Sequence, residues 1–117
     1  MAVYLIAQLK IKEGCMEKFS TLLHEEIAPR LEPRGWKLLG SYLNIMGTPT
    51  PSLGGMNVVL DVWELTPDIS AFERVQREIQ SDMEYMPFER ELAACVEDEN
   101  MQFMYKLPDA LGLWPME

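Results

Sequence analysis

The sequence contains a single histidine, His24, among 117 residues. A mechanism that needs an unperturbed base near neutral pH must therefore use it, or turn to a carboxylate retuned by its surroundings. His24 lies at the margin of an apolar helical stripe, where it faces either a cavity or, as a half-packed boundary residue, the solvent. Asp61 is the other candidate for proton transfer. It stands mid-strand between Leu60 and Val62, and if buried it needs a partner or a raised pKa. Alternation places Trp63, Asp61 and Asn57 on one face of that strand, and Tyr42 and Asn44 on one face of another. An aromatic with convergent polar groups suits a flat substrate. The expected catalytic residues are thus His24 and Asp61, with Trp63, Tyr42 and Asn44 as ligand-binding residues. The plainer reading has Trp63 in the core and Asp61 at an interface or in water.

Other chemistries find no motif. His24-Glu25-Glu26-Ile27-Ala28 is not a zinc HExxH, because Ala28 stands where the second ligand belongs. One histidine and two cysteines distant in sequence, Cys15 and Cys95, do not make a structural zinc site, so no metal is expected. The cysteines read as small buried hydrophobes. Helix 2 offers no histidine for haem, Gly54-Gly55 is not followed by a phosphate-binding Gly-Lys-Ser/Thr, and there is no GxGxxG or GxSxG. No cofactor is expected. Nine methionines fill irregular apolar space, either as ordinary core or around a small hydrophobic molecule.

The elements that position these residues follow from periodicity. Residues 2–11 alternate as a strand, with Val3, Leu5, Ala7, Leu9 and Ile11 on one side and Tyr4, Ile6, Gln8 and Lys10 on the other. A helix follows from Met16 to Ala28, with a looser turn to Leu31, because Pro29 has no N–H for the carbonyl of Glu25. Residues 36–46 form a second strand and 47–55 a Pro/Thr-rich loop. Residues 56–65 form a third strand, apolar on both faces. Thr66 as N-cap and Pro67 at the first position begin a helix carrying Phe72, Val75, Gln76, Ile79 and Met83 on one stripe. Pro87 starts a short helix with Phe88, Leu92 and Cys95. Residues 100–107 form a final edge strand, and residues 108–117 are a tail whose Leu111, Leu113 and Trp114 suit docking on a surface.

The order βαββαβ predicts an α+β, ferredoxin-like domain over residues 1–107: a four-stranded antiparallel sheet, strands 1 and 3 central, helices on one face. Both central strands are apolar on both sides, and the helices cover only one. A homodimer packed sheet to sheet covers the other.

With 19 acidic and 10 basic residues the net charge is −9, which repels phosphate backbones and anionic lipid. Nucleic-acid binding is not expected. No apolar run approaches the roughly 20 residues of a membrane span, and the N-terminus lacks a basic leader. The expectation is a cytoplasmic protein with no membrane partner.

Three stretches carry a family resemblance: Tyr4 to Gly14, a strand entering a Lys-x-Gly turn; Ile27-Ala28-Pro29-Arg30-Leu31 through Gly35-Trp36-Lys37-Leu38-Leu39-Gly40; and Val62-Trp63-Glu64-Leu65. In these the chain resembles NIPSNAP-like proteins of the dimeric α+β barrel superfamily. It departs along the first strand, with Leu5 and Ala7 where relatives are often polar or charged. The resemblance implies a ferredoxin-like protomer that dimerises through its sheet. The superfamily includes cofactor-free monooxygenases, haem-degrading enzymes, isomerases and cyclases, so fold does not select a reaction. The expected function is a small dimeric protein with an apolar ligand pocket and no assigned reaction. The alternative is a cofactor-independent monooxygenase, isomerase or cyclase acting on an aromatic or polyketide-like substrate.

Overall fold

The computed structural model describes residues 1–49 and 53–112. Leu113 and Trp114 of the expected tail, and residues 50–52 of the Pro/Thr loop, lie outside the described residues. Strand β1 (Val3–Ile11) leads into α1 (Met16–Thr21), a π-helical stretch (Leu22–Ile27), α2 (Ala28–Leu31) and a 3-10 turn (Glu32–Arg34). Strands β2 (Trp36–Leu43) and β3 (Val58–Leu65) follow, then α3 (Ser70–Gln80), α4 (Met86–Ala94), β4 (Val96–Met104) and the short α5 (Leu107–Ala110). The strands form one antiparallel sheet in the order β2-β3-β1-β4. This is the ferredoxin-like arrangement, with β1 and β3 central.

The period-2 pattern of β1 holds along its whole length. Val3, Leu5, Ala7, Leu9 and Ile11 are buried against the helices, and the alternate residues are half-exposed on the opposite face. On β3, Val59, Asp61, Trp63 and Leu65 point to the helices, and Leu60, Val62 and Glu64 point away. The core is the helix-side layer, closed by Phe19, Leu23, Ile27 and Leu31 from the first helical segment and Val75 and Ile79 from α3.

Several boundaries differ from those read in the sequence, each for a local reason. The first helical segment continues past the expected looser turn at Leu31 to Arg34. It widens beforehand: the Ala28 N–H reaches back to the Leu23 carbonyl, a five-residue spacing that leaves room for the Pro29 ring. Thr66 does not cap α3. Its N–H donates to the Gly35 carbonyl oxygen at 2.9 Å, and Asp68 accepts from the Ser70 N–H at 2.9 Å where the helix begins. Strand β4 starts at Val96, ahead of the expected residue 100, because its charged residues pair on an exposed edge, Asp98 opposite Lys10. It ends at Met104, so Tyr105 and Leu107 lie outside it. Strand β2 stops at Leu43 and β3 begins at Val58. The turn before β3 passes through Asn57 at φ 57°, a backbone that asparagine tolerates better than most residues.

The first helical segment and the α3–α4 unit are tied by charge. Arg34 pairs with Asp82, and the Arg74 guanidinium donates to the Arg34 carbonyl oxygen at 2.7 Å. Arg30 lies over the Phe88 ring, 4.5 Å from its centre. Both cysteines are free, Cys95 buried and Cys15 half-buried. Burial pushes the Cys95 thiol up, and the neighbouring Cys15 thiol adds to the effect.

Candidate functional site

Strand β2 decides which residues meet. It pairs regularly from Trp36 opposite Leu65 to Leu38 opposite Trp63, then Leu39 bulges out and Gly40 takes the place opposite Val62. A bulge adds one residue to one strand and so reverses every face beyond it. Ser41 therefore turns toward the helices beside Asp61, and Tyr42 turns away. The Ser41 hydroxyl donates to Asp61 Oδ1 at 2.6 Å.

Asp61 is 2% exposed and is the one buried charged residue among the described residues. It lies in a transverse row of Ser41, Asp61, Ala7 and Met101 on the helix side of the sheet. The small Ala7 side chain, flanked by Leu5 and Leu9, leaves space above this row. That space belongs to a cavity of about 550 Å³ between helices and sheet. Its floor is Leu5, Ala7, Leu9, Asp61 and Trp63, and Leu23, Ile27 and Leu31 wall it on one side. Gln76 and Ile79 of α3 and Glu89 of α4 wall it on the other.

An aromatic group closes one end. Trp36 stacks on Phe72 at 5.5 Å and meets Trp63 edge-on at 5.9 Å, and its indole N–H donates to the Ala71 carbonyl oxygen at 3.0 Å. The hydrogen bond and the stacking fix the ring plane that faces the cavity.

The electrostatics set Asp61 apart. Burial pushes the Asp61 carboxyl up to about 6, against the Ser41 hydrogen bond and the charge of His24, which pull it down. Tyr85 also lines the cavity and is 3% exposed. Burial pushes its phenol up, so it stays neutral, and burial likewise raises Glu89. The Tyr85 hydroxyl has no hydrogen-bond partner among the described residues, and no sealed side-chain oxygen there lacks one. The hydroxyl therefore opens into the cavity. Asp82 holds this residue in place, accepting from the N–H groups of Glu84 at 3.0 Å and Tyr85 at 3.1 Å.

The residues singled out from sequence are thus divided. Asp61 and Trp63 share the cavity. Tyr42 and Asn44 lie beyond the bulge on the opposite face, in a shallower groove of about 380 Å³ with Gln8 and Leu60. Asn44 falls just past the end of β2, with its N–H donating to the Val58 carbonyl oxygen at 2.9 Å. His24 is exposed, does not line the cavity, and donates from Nδ1 to the Ser20 carbonyl oxygen at 2.8 Å. Asn57 sits in the turn before β3, not on the Asp61 face. Ser41, Trp36, Phe72, Tyr85 and Glu89 join the site without having been expected there. The sequence signal for Tyr85 is slight: Pro87 marks a helix start there, but nothing in the pattern turns Tyr85 toward the core. No group of three or more acidic, His or Cys side chains among the described residues could hold a metal ion.

No protein-family model and no curated protein matches the chain. Solved structures do. A NIPSNAP family protein from Agrobacterium tumefaciens superposes with a TM-score of 0.72 at 15% identity, over 90% of this chain and 92% of its own. The chain has the fold of NIPSNAP family proteins. A NIPSNAP-like domain protein from Burkholderia xenovorans gives 0.71 at 13% identity, covering 91% and 85%. SnoaB, a cofactor-independent oxygenase from Streptomyces nogalater, gives 0.55 at 12% identity, covering 91% and 93%. At these identities the likeness to NIPSNAP proteins and to SnoaB is one of fold.

Proposed function

We propose that this protein is a homodimer that binds a small, largely apolar, ring-bearing molecule in the cavity of each protomer. One observation carries the reading: a carboxyl group, Asp61, stands buried on the floor of a roomy cavity walled by aliphatic and aromatic side chains. A polar group kept in such a place costs stability, and orienting a ligand offsets that cost in function. The dimer rests on the outer sheet face, where Ile6, Leu60 and Val62 form an apolar centre rimmed by Tyr4, Tyr42 and Met104. A second sheet removes that surface from water. Trp63 holds the ligand from the cavity side, whereas Tyr42 and Asn44 serve the interface. Cytoplasmic residence belongs to the same reading and suits two free cysteines. Among the described residues no helix is long and apolar enough to cross a membrane.

A second reading is favoured by the Asp61 pKa of about 6 and by the fold shared with a cofactor-independent oxygenase. Here the Asp61 carboxylate takes a proton from an acidic C–H or phenolic O–H of the ligand, becoming a carboxylic acid and leaving a delocalised ligand anion. The neutral Tyr85 O–H donates to the oxygen that gains charge. Such a carbanion adds dioxygen to give a peroxide that collapses to a ring ketone with loss of water, is reprotonated elsewhere, or adds to a carbonyl of the same molecule. These outcomes are monooxygenation, isomerisation and cyclisation. His24 acts here only from outside the cavity, through the charge that pulls the Asp61 pKa down.

The test is thermal stabilisation by small aromatic ketones, wild type against Ala7→Leu, which fills the floor beside Asp61. Stabilisation of the wild type alone supports the cavity as the site, and equal stabilisation of both contradicts it. Light scattering tests the dimer, and a concentration-independent monomer sinks that part of the reading.

A further inference from the structure

The charges around the cavity are one-sided. Asp61 stands on its floor and Glu89 in its wall, Glu97 and Glu99 contribute at the β4 rim, and no Lys, Arg or His side chain among the described residues lines it. A carboxylate or phosphate ligand would enter this field with no cation among the lining residues, since His24 and Arg34 act on Asp61 and Tyr85 only from outside the lining, and like charges repel most strongly where water is excluded.

A second observation is independent of the acids. The Tyr85 side chain is 3% exposed, lines the cavity and has no hydrogen-bond partner among the described residues, while no sealed oxygen there lacks one. The hydroxyl of this largely buried side chain is thus accessible and free to bond a ligand. Its oxygen can accept an N–H, and Asp61 Oδ2 and the Glu89 carboxylate accept too. The same cavity is lined by Trp36, Trp63 and Phe72, whose ring quadrupoles attract a cation brought near them.

We propose that the cavity takes a protonated amine carried on an aromatic or fused-ring body, the ammonium held by Glu89 and Tyr85, with Asp61 on the floor adding to the attraction, and the ring by Trp36 and Trp63. This rests on the reading of the cavity as a ligand site and adds the charge of the ligand. Cavity volume and apolar walls select size and shape, and the acids select sign.

The experiment is isothermal titration calorimetry of the whole protein at neutral pH with three probes that share one ring: naphthylmethylammonium, naphthylmethanol and naphthylacetate. The ammonium is expected to bind at least about tenfold tighter than the carboxylate, with the alcohol between them. Glu89→Gln and Tyr85→Phe are each expected to weaken ammonium binding several-fold and to leave the alcohol closer to its wild-type affinity. The alcohol or the carboxylate binding as tightly as the ammonium overturns the inference while leaving the cavity as a ligand site. Unchanged ammonium affinity in both variants also overturns it. Binding by none of the three removes the ligand-site reading and this inference together.

Discussion

Ser41 Oγ reaches Asp61 Oδ1 at 2.6 Å because Leu39 is bulged out of the β2–β3 ladder. Without that extra residue in the count, alternation from Trp36 assigns Tyr42 and not Ser41 to the helix side. The bulge thus gives a buried carboxylate a small donor, in place of a bulky phenol that would fill the cavity above it. The same shift lays the Tyr42 ring over Gly40 on the outer face, where an added Cβ would lie 2.4 Å from the Tyr42 hydroxyl.

Ser41→Ala should raise the Asp61 pKa further. The Ser41 hydrogen bond favours the charged form, and a bond to a charged group is worth enough to move the midpoint by on the order of one unit. Carbon-detected NMR titration of the Asp61 carboxyl reads this directly. A midpoint that stays in place would show that the two groups do not interact in solution.

Asp61 also gives stability a pH dependence of defined sign. Its pKa is raised in the folded state from 3.8 to about 6, so the fold favours the protonated form. That contribution is full below pH 3.8 and lost as pH rises through about 6. The loss is about 3 kcal/mol. Asp61→Asn keeps an acceptor for Ser41 and cannot titrate. Urea unfolding across this window should show the wild type losing ground to the variant. Parallel curves would mean that Asp61 titrates normally.

Gly35 ends the first helical segment at φ 108°, and an added Cβ would meet the Thr66 carbonyl oxygen at 2.6 Å. Both the backbone and the space exclude a side chain. Gly35→Ala should cost on the order of 2–4 kcal/mol in chemical denaturation. It should also disturb Trp36 next to it, visible as a shifted indole N–H resonance. A variant as stable as wild type would contradict the close approach of these two turns.

Tyr85→Phe removes a hydroxyl that bonds nothing among the described residues, so unfolding free energy should change by less than about 1 kcal/mol. A larger loss would mean that the hydroxyl serves the fold and is not held open for a ligand.

The architecture was legible in sequence because period-2 burial is written plainly in β1 and β3, and the doubly apolar pattern marks them as central. Asp61 and Trp63 were legible for the same reason, since β3 is regular from Val58 to Leu65. That Tyr42 and Asn44 lie on the face away from Asp61 is not legible, because a bulge leaves no trace in hydropathy and Leu39 looks like any strand leucine. His24 flanks the inward stripe of Leu23 and Ile27 that periodicity marks, and only the structure decides that it faces solvent and not the cavity. Tyr85 and Glu89 reach the cavity through the packing of α4 across the first helical segment, a contact between residues far apart in the chain that periodicity does not encode.

The central claim is that the ligand lies between helices and sheet, over Asp61, and not in the outer groove. NMR titration of the methyl and indole groups with each of naphthylmethylammonium, naphthylmethanol and naphthylacetate tests it most directly. The predicted result is saturable shifts in Leu5, Leu23, Ile27 and Ile79 methyls and in the Trp36 and Trp63 indoles. Shifts confined to Leu43, Val58 and Leu60 around Tyr42 and Asn44, or none at all, would contradict it.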